Sequence, residues 1–488
     1  MQTFLFFLPL LILISGFFLP KTHIKITAFL SLISAIFLSV FYWNSSEIIL
    51  PSIFKGAFVS FDIVLIIFGA LTFLYVMQHL GVISSLEHHL HDLSSDIRIQ
   101  TILLVWFFGG FLESTAGFGI PALIVAHVLV KIGIPSIAAV VIALAGNSIP
   151  VTFGAIGTPI KIGFFNFNQY AIADSTVLIG LFVGIFVPVI ILALLTHFLK
   201  KPYSFLIEAL PFALLSGVCF TIPYYFGLRL GLEFPSLVGS LVGMFLIFMF
   251  LKLNILNVKN IHKAKELGEL KKKLSARDVF APYILLIGIL LFERLFPIIY
   301  VINISDTSTH SLKLFNPGII FLLVSFIFLL RHKASPKAFI FNIKEALRKI
   351  PYPGIIIFLI ATTMEILING SKTDSVFKSL ETDFLPIMAP FVGALGAFIA
   401  GSATLSNLIF GSIQAHAANQ AGFTVSVILS LQLLGATAGN MISIPNIIAA
   451  ESAVGIKGEE KEIIKKLIPW TIIYILIIIL VYQALQYF

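Results

Sequence analysis

The chain has 488 residues, of which 59% are hydrophobic and 11% are charged, and its formal net charge is +8. A soluble domain carries about 25% charged residues, so this composition excludes an ordinary water-soluble protein. The positive residues cluster between apolar runs. That distribution is typical of loops that set membrane topology, and it argues against a nucleic-acid partner. A single cysteine, Cys219, excludes an internal disulfide framework.

Apolar runs recur along the whole chain. Because one bilayer-spanning helix needs roughly 20 residues, we predict an all-α polytopic membrane protein with about 12 transmembrane helices plus two shorter hairpins. The candidate spans are residues 3–20, 23–43, 57–80, 135–160, 175–199, 204–226, 233–253, 279–301, 316–331, 352–369, 423–456 and 468–486. The first lacks the basic region and cleavage site of a signal peptide, so we expect a retained span.

Two segments, 99–131 and 386–421, are typical of re-entrant hairpins made of paired half-helices. Two long spans, 135–160 and 423–456, are predicted to be broken helices because glycine, proline and asparagine interrupt them. Irregular backbone at bilayer depth is tolerated only where protein or a water-filled cavity satisfies its polar groups. Such breaks therefore indicate a polar site inside the membrane.

The basic loops 252–277 and 331–349 are expected on the cytoplasmic side. The alternation of spans fits this only if each hairpin returns to the side it entered from, and both termini then lie outside. The chain thus resembles two inverted repeats, 57–199 and 352–488, with N-terminal spans in 1–56 and middle spans in 200–351. Inverted repeats with interrupted helices indicate a transport site near the bilayer midplane. Tight helix packing through glycine remains the alternative.

Exposed helix ends and hydroxyl groups at the breaks favour an anionic substrate, because a helix N-terminus carries about half a positive charge. The predicted substrate-binding residues are Ser114, Thr115, Gly117, Gly119, Asn147, Ser148, Thr158, Lys161, Ser402, Thr404, Ser406, Asn407, Asn440 and Ser443. Lys161 has two readings. It is either a cation that attracts the anion or an interface lysine that extends toward water.

Glu113 is the main candidate for proton coupling, because an ionised acid in a span costs roughly 2.5–3.5 kcal/mol. Burial disfavours the ionised form of an acid, so we expect Glu113 to take up and release a proton near neutral pH. The alternative is a structural acid that caps hairpin N–H groups. Glu365 and Asp62 are secondary candidates in the spans that enter each half. The chain has no HExxH, G-x-S-x-G or Walker motif, so neither an enzyme nor an ATP-driven pump is indicated.

With these residues in view, the chain resembles the lactate permease family. The resemblance covers 108–160, with GGFLESTAGFGIPALI and NSIPVTFGAIGTPI. It also covers 398–459, with GSATLSNLIFGSIQAHAANQAG and TAGNMISIPNIIAAESAVGIKGEE. It implies a carrier of the bacterial inner membrane that takes up L-lactate, D-lactate and glycolate together with a proton. It also implies the hairpin layout described above.

Two positions depart from the family pattern. The second hairpin usually has aspartate in its G-S-D-T-type turn, where this chain has Ala403. The second broken helix usually has lysine in a G-K-M-I-S-type stretch, where this chain has Asn440. Losing both together avoids an unpaired buried charge. We expect a proton symporter for small monocarboxylates. The alternatives are a sodium-coupled or other organic-anion carrier and a passive channel, and a homodimer is a further expectation.

Overall fold

The computed structural model describes residues 5, 8–13, 24–117, 119–253, 260–266, 273–296, 299–305, 308–313, 316–370 and 384–486. The first half contains helices α1 (Ile24–Phe41), α2 (Ile49–His79), α3 (Val82–His91), α4 (Ile97–Thr115), α5 (Ile120–Lys131), α6 (Ser136–Gly146), α7 (Gly154–Lys161), α8 (Gln169–Phe198), α9 (Tyr203–Leu230) and α10 (Pro235–Lys252). The second half contains α11 (Ala276–Leu295), strands β1 (Ile299–Ser305) and β2 (Ser308–Lys313), α12 (Pro317–Arg331), α13 (Pro336–Lys349), α14 (Pro351–Gly370), α15 (Leu385–Ala400), α16 (Ala403–Ala421), α17 (Val425–Met441), α18 (Ile444–Val454) and α19 (Glu460–Leu485).

The predicted helical membrane fold is confirmed. Within the described residues, seven helices are long and apolar enough to cross a membrane, or up to nine if each of two bent pairs forms one span. The prediction of about 12 helices is higher because it includes apolar helices of only 10–17 residues, such as Lys25–Phe41 of α1 and Pro317–Arg331 of α12. Most of the predicted span 3–20 lies outside the described residues, as do Lys259, Lys271 and Lys272 of the first basic loop.

One local prediction differs from the structure. The apolar run 279–301 is predicted as a single span, but α11 ends at Leu295 and a short antiparallel hairpin of β1 and β2 follows. β1 has the sequence IYVINIS. Its β-branched and aromatic residues favour extended backbone, and apolar periodicity alone does not separate such a run from the end of a helix.

The chain forms two compact units. Unit 1 comprises residues 1–80, 281–385 and 408–428, and unit 2 comprises 81–280, 386–407 and 429–488. Each unit is assembled from distant parts of the sequence. The predicted division into 1–56, 57–199, 200–351 and 352–488, and the inverted relation of the two halves, stay predictions.

Unit 1 is built around α2, which packs against α12 and α14. A Cβ atom on Gly56 would lie 2.2 Å from Thr362 of α14, and one on Gly69 would lie 2.1 Å from Gly318 of α12. The helices therefore approach each other through backbone. In lipid, where no hydrophobic force draws helices together, small residues allow such close contact.

Unit 2 has α4 at its centre, and this helix is buried along its whole length. A helix that is apolar all round belongs in a protein core. Its middle, Leu103–Phe108, has π-helical geometry and includes the fully buried Trp106, whose Nε1 donates to the carbonyl of Ser216. Single π turns occur mostly inside α-helices near functional sites.

A polar strap, residues 260–266, crosses the base of the first hairpin within unit 2. The fully buried Arg98 donates to both carboxylate oxygens of Asp96, at 3.0 and 2.8 Å, and to the carbonyl of Asn260 at 2.6 Å. The backbone N–H of Lys265 donates to the carbonyl of Ile132, just beyond the end of α5. The strap thus fastens both ends of the hairpin formed by α4 and α5.

Candidate functional site

The first hairpin turns between the end of α4 at Thr115 and the start of α5 at Ile120. Gly117 and Gly119 have φ values of +60° and +77°, a region that favours glycine because it has no Cβ. A side chain at either position would also clash with its neighbours. A Cβ atom on Gly117 would lie 2.8 Å from Ala155, and one on Gly119 would lie 2.4 Å from Oδ1 of Asn446. The tip therefore packs directly against other polar breaks of unit 2.

The first arm of the first broken helix is α6, which ends at Gly146. A 3-10 turn, Ile149–Phe153, leads into α7, and the two parts are bent by 50°. Inside α7, three consecutive residues are left-handed: Ala155, Ile156 and Gly157 have φ values of 41°, 58° and 79°. For a residue other than glycine this conformation costs about 1–2 kcal/mol. Backbone strain of this kind concentrates at functional sites.

The second hairpin and the second broken helix have shorter breaks. α15 ends at Ala400 and α16 begins at Ala403, with Gly401 between them at φ +70°. Two residues separate α17 from α18, which begins at Ile444. Ser406 Oγ donates to the carbonyl of Gly393 at 2.9 Å and accepts from Nε2 of Gln432 at 3.1 Å. One hydroxyl thus links both hairpin arms to the second broken helix.

A small cavity of about 20 Å³, enough for about one water molecule, lies where these breaks meet within unit 2. Its walls come from both hairpin tips and from both broken helices. The lining residues are Glu113, Gly117, Gly119, Val151, Gly154, Ala155, Thr158, Pro159, Gly401, Ser402, Ala403, Thr404 and Asn440. Ligand pockets usually span about 300–1,000 Å³, so the cavity is nearly closed in this conformation, and the surrounding helices must separate before a solute can enter.

The electrostatics of the cavity combine an acid with two helix N-termini. Glu113 is 3% exposed, and its Oε2 accepts a hydrogen bond of 2.9 Å from Nδ2 of Asn147. Helices α5 and α16 begin next to the lining residues Gly119 and Ser402. Each N-terminus presents backbone N–H groups and a partial positive charge, which favours an anion. The site can therefore attract a small anion beside a group that can bind a proton.

The structure brings together part of the predicted substrate-binding set. Gly117, Gly119, Thr158, Ser402, Thr404 and Asn440 line the cavity, and Asn147 contacts the acid that lines it. The hydroxyls of Ser114 and Thr115 instead donate to carbonyls of their own helix, at Phe111 and Leu112.

The remaining polar residues of the predicted set lie close to the cavity. Asn407 donates through Nδ2 to the carbonyl of the lining residue Pro159, at 3.0 Å. Ser148 and Ser443 are fully buried at the two helix breaks. Asn407 is thus placed to hold the backbone beside the cavity, while the lining residues face it.

Charged candidates outside the cavity have other partners. Lys161 Nζ donates to Oε1 of Glu233 at 2.7 Å, and both side chains are largely buried. In unit 1, Glu365 forms an ion pair of 3.2 Å with Lys55. Asp62 accepts from Nδ2 of Asn316 at 3.3 Å. None of these three candidates is among the residues that line the cavity.

Several lining residues lie outside the predicted set, namely Val151, Gly154, Ala155, Pro159, Gly401 and Ala403. The glycine and proline residues that predict the breaks lie in the same stretches of sequence. These six residues have no polar side chain, however, so they were not predicted to bind the substrate. Asn446 was also missed. It donates to Asn440 and touches the first hairpin tip. Within the described part of the chain, no group of three or more His, Cys, Asp or Glu residues could hold a metal ion.

Comparisons with known proteins identify the family of this chain. The profile of the L-lactate permease family matches residues 3–309 and 296–488. A putative L-lactate permease of Haemophilus influenzae is 29% identical over 458 residues, covering 84% of each chain. An L-lactate permease of Streptococcus iniae is 27% identical over 445 residues, 86% of this chain and 91% of the relative. A glycolate permease, GlcA of Escherichia coli, is 26% identical over 442 residues, 78% and 77% of the two chains.

Among solved structures, Neisseria gonorrhoeae MtrF, described as one of a class of antimetabolite efflux pumps, matches 93% of this chain and 84% of its own. The identity is 14% and the TM-score is 0.46, a level from which nothing further follows. The family match and the long apolar helices together make this chain a multi-pass integral protein of a bacterial inner membrane. The resemblance found in the two hairpins and broken helices is confirmed, and the chain belongs to the L-lactate permease family.

Proposed function

We propose that this protein imports small monocarboxylates, L-lactate with D-lactate or glycolate, by proton symport. The names of the relatives support the substrate class, since they include both L-lactate and glycolate permeases. The substrate carboxylate would lie between the N-termini of α5 and α16, near the hydroxyls of Ser402 and Thr404.

A single observation supports the coupling. Glu113 lines the same cavity as the two helix N-termini. Two negative charges in a buried space of this size repel each other strongly, because like charges disfavour each other's ionised form. The anion therefore binds best when Glu113 holds a proton. Anion and proton would then enter and leave the site together, which is the definition of symport.

Movement between outward-open and inward-open states completes the cycle. A ligand shifts such an equilibrium only through different affinities for the two states. In this proposal, the protonated and loaded cavity favours the switch, whereas an ionised Glu113 facing an anion does not. One half of the chain, or its hairpin, moves relative to the rest.

The test is uptake of labelled L-lactate and glycolate into proteoliposomes, with an imposed inward proton gradient and with or without sodium. Accumulation driven by the proton gradient is expected for the wild type. Sodium-dependent accumulation would instead indicate a sodium-coupled carrier, and flux without accumulation would indicate a channel. No uptake of either acid would mean that Ala403 and Asn440 mark a different organic anion.

The variant Glu113→Gln keeps the shape of the side chain and removes its titration. We expect it to lose accumulation driven by pH. Glu293→Gln is the matched control, because Glu293 is also buried, at 7% exposure, but lies in α11 outside the cavity lining. Persistent accumulation driven by pH in Glu113→Gln would mean that another acid carries the proton, and Glu365 and Asp62 would then be tested in the same way.

A further inference from the structure

The second broken helix contains a pair of buried amides at its interruption. Asn440 lies in the last turn of α17 and Asn446 in the first turn of α18, and each is 5% exposed. Nδ2 of Asn446 donates to Oδ1 of Asn440 at 2.8 Å and to the backbone carbonyl of Asn440 at 3.3 Å. Asn440 thus accepts both hydrogen bonds from the amide nitrogen of Asn446, and Asn440 lines the cavity.

This contact decides which way the Asn440 amide faces. An asparagine amide has one acceptor oxygen and one nitrogen with two donor hydrogens. The oxygen of Asn440 is occupied by Asn446. Among the residues that the structure describes, none accepts a hydrogen bond from its Nδ2. Because Asn440 lines the cavity, these two N–H groups are the polar atoms that it can offer to a ligand.

Asn446 is itself held in place by the first hairpin. Its Oδ1 lies so close to Gly119 that a Cβ atom there would approach it to 2.4 Å. The Asn446 side chain therefore packs between the tip of the first hairpin and the end of α17. A turn of the Asn446 amide would bring its oxygen face to face with the side-chain and backbone oxygens of Asn440, which now accept from its nitrogen. The observed orientation avoids this contact between acceptors, because an amide oxygen only accepts hydrogen bonds.

We propose that Asn446 is a positioning residue that fixes the amide of Asn440 with its N–H donors toward the cavity, where they bind a carboxylate oxygen of the transported anion. This inference rests on the proposed function, and it deepens that function by naming how the site recognises a carboxylate. None of the described residues that line the cavity is a lysine or an arginine. The helix N-termini and this neutral donor pair therefore bind the carboxylate without a cation in the lining.

The test replaces the hydrogen-bond donor at position 446 with an acceptor. In Asn446→Asp, the carboxylate accepts from Nδ2 of Asn440, which turns the amide and points its oxygen into the cavity. An acid in the first turn of α18 is favourable because of the helix dipole, so the variant is expected to fold. We expect the KM for L-lactate or glycolate to rise about tenfold or more, the effect of losing one hydrogen bond to a charged group, with little change in maximal rate or thermal stability.

Two controls separate positioning from general damage. In an Asn440→Ala background, Asn446→Asp should have no further effect on KM, because it acts only through the amide of Asn440. Asn342→Asp is the matched control, since Asn342 is a buried asparagine of α13, 4% exposed, outside the cavity lining. Its KM is expected to equal that of the wild type. An unchanged KM in Asn446→Asp, or additive effects in the double variant, would overturn the proposal.

A ligand-binding assay keeps this test independent of the substrate. Thermal stabilisation of the purified wild-type protein is measured with a panel of small carboxylates and their uncharged amides, because a bound ligand stabilises the folded state. If lactate and glycolate fail but another carboxylate stabilises, the proposed substrate is wrong and the Asn446 variants are scored with the acid that binds. If no carboxylate stabilises the protein, the assignment of Asn440 and Asn446 is wrong.

Discussion

Nδ2 of Asn147 donates a hydrogen bond of 2.9 Å to Oε2 of Glu113, which joins the break of the first broken helix to the acid of the first hairpin. Both side chains are buried, at 5% and 3% exposure. A donor aimed at a carboxylate favours its ionised form. If Glu113 carries the proton as proposed, Asn147 assists its release, while an anion bound in the cavity favours its uptake.

Replacing Asn147 with leucine removes this donor at similar volume. A hydrogen bond to a charged group contributes about 1.5–3 kcal/mol, so ionisation of Glu113 becomes about tenfold to hundredfold less favourable. We expect a lower maximal uptake rate, because proton release on the inner side slows. The deficit should be largest at acidic internal pH and should shrink as internal pH rises, when measured in proteoliposomes with fixed external pH. A deficit that is the same at every internal pH would assign Asn147 a purely structural role.

Gly154 lies directly beside the acid. A Cβ atom there would lie 2.5 Å from Oε1 of Glu113. Its backbone has φ −63° and ψ 158°, which alanine also adopts, so Gly154→Ala tests space alone. Overpacking of this kind costs about 1–3 kcal/mol. We expect uptake to fall at least tenfold while the protein is still inserted and folded.

The control for this prediction is Gly288→Ala, because a Cβ on Gly288 of α11 meets nothing within 4 Å. Alanine is favoured over glycine in a helix by about 1 kcal/mol, so this variant is expected to retain full uptake and stability. Equal uptake by both variants would show that the space around the Glu113 carboxyl group is not restricted.

The ion pair between Lys161 and Glu233 allows a test of the two interpretations of Lys161. If the lysine mainly holds α7 to the segment that precedes α10, Lys161→Met lowers thermal stability by about 1–3 kcal/mol, because a largely buried acceptor loses its donor. The double variant Lys161→Met/Glu233→Gln should recover most of this loss. We expect that outcome, with the KM for substrate nearly unchanged in the double variant. A KM that rises equally in the single and double variants would show that the lysine charge itself attracts the substrate.

The strap at the base of the first hairpin predicts that the folded protein becomes less stable at acidic pH. Burial opposes ionisation of Asp96, but hydrogen bonds from the Arg98 side chain and from the N–H groups of His262 and Arg98 outweigh it, so the pKa of Asp96 lies below its ordinary value of 3.8. A lowered pKa in the folded state adds stability above the unfolded value, and this stability is lost as pH falls through the folded value. Thermal unfolding in detergent between about pH 5 and about pH 3 should show this loss, since aspartate titrates near 3.9 when unfolded.

Asp96→Asn should remove most of that acid dependence, since asparagine still caps α4 but does not titrate. Arg98→Met leaves the buried Asp96 carboxylate without its cation and should cost about 3–5 kcal/mol at neutral pH. Adding Asp96→Asn to Arg98→Met should recover part of this cost. An acid profile of Asp96→Asn identical to that of the wild type would mean that other acids govern unfolding at low pH.

Local chemistry accounts for what the sequence predicts well. The interruptions near Asn147 and Ser443 are predicted because asparagine, serine, proline and glycine cluster there, and such clusters favour helix ends. The turn at Gly401 is predicted for the same reason. The helical membrane fold follows from composition and length, although the predicted number of spans is higher than the number of long apolar helices among the described residues. The motifs around these breaks were also enough to identify the family.

Tertiary structure alone decided which polar groups face the cavity. Ser114 and Thr115 are polar and adjacent to the tip, yet their hydroxyls donate to their own helix. Glu365 is as acidic as Glu113, yet it pairs with Lys55 in unit 1. Asn446 gained its position because Gly119, far away in the sequence, leaves room for its amide. Backbone breaks depend on a few neighbouring residues, whereas the direction and partner of a side chain depend on contacts between segments hundreds of residues apart.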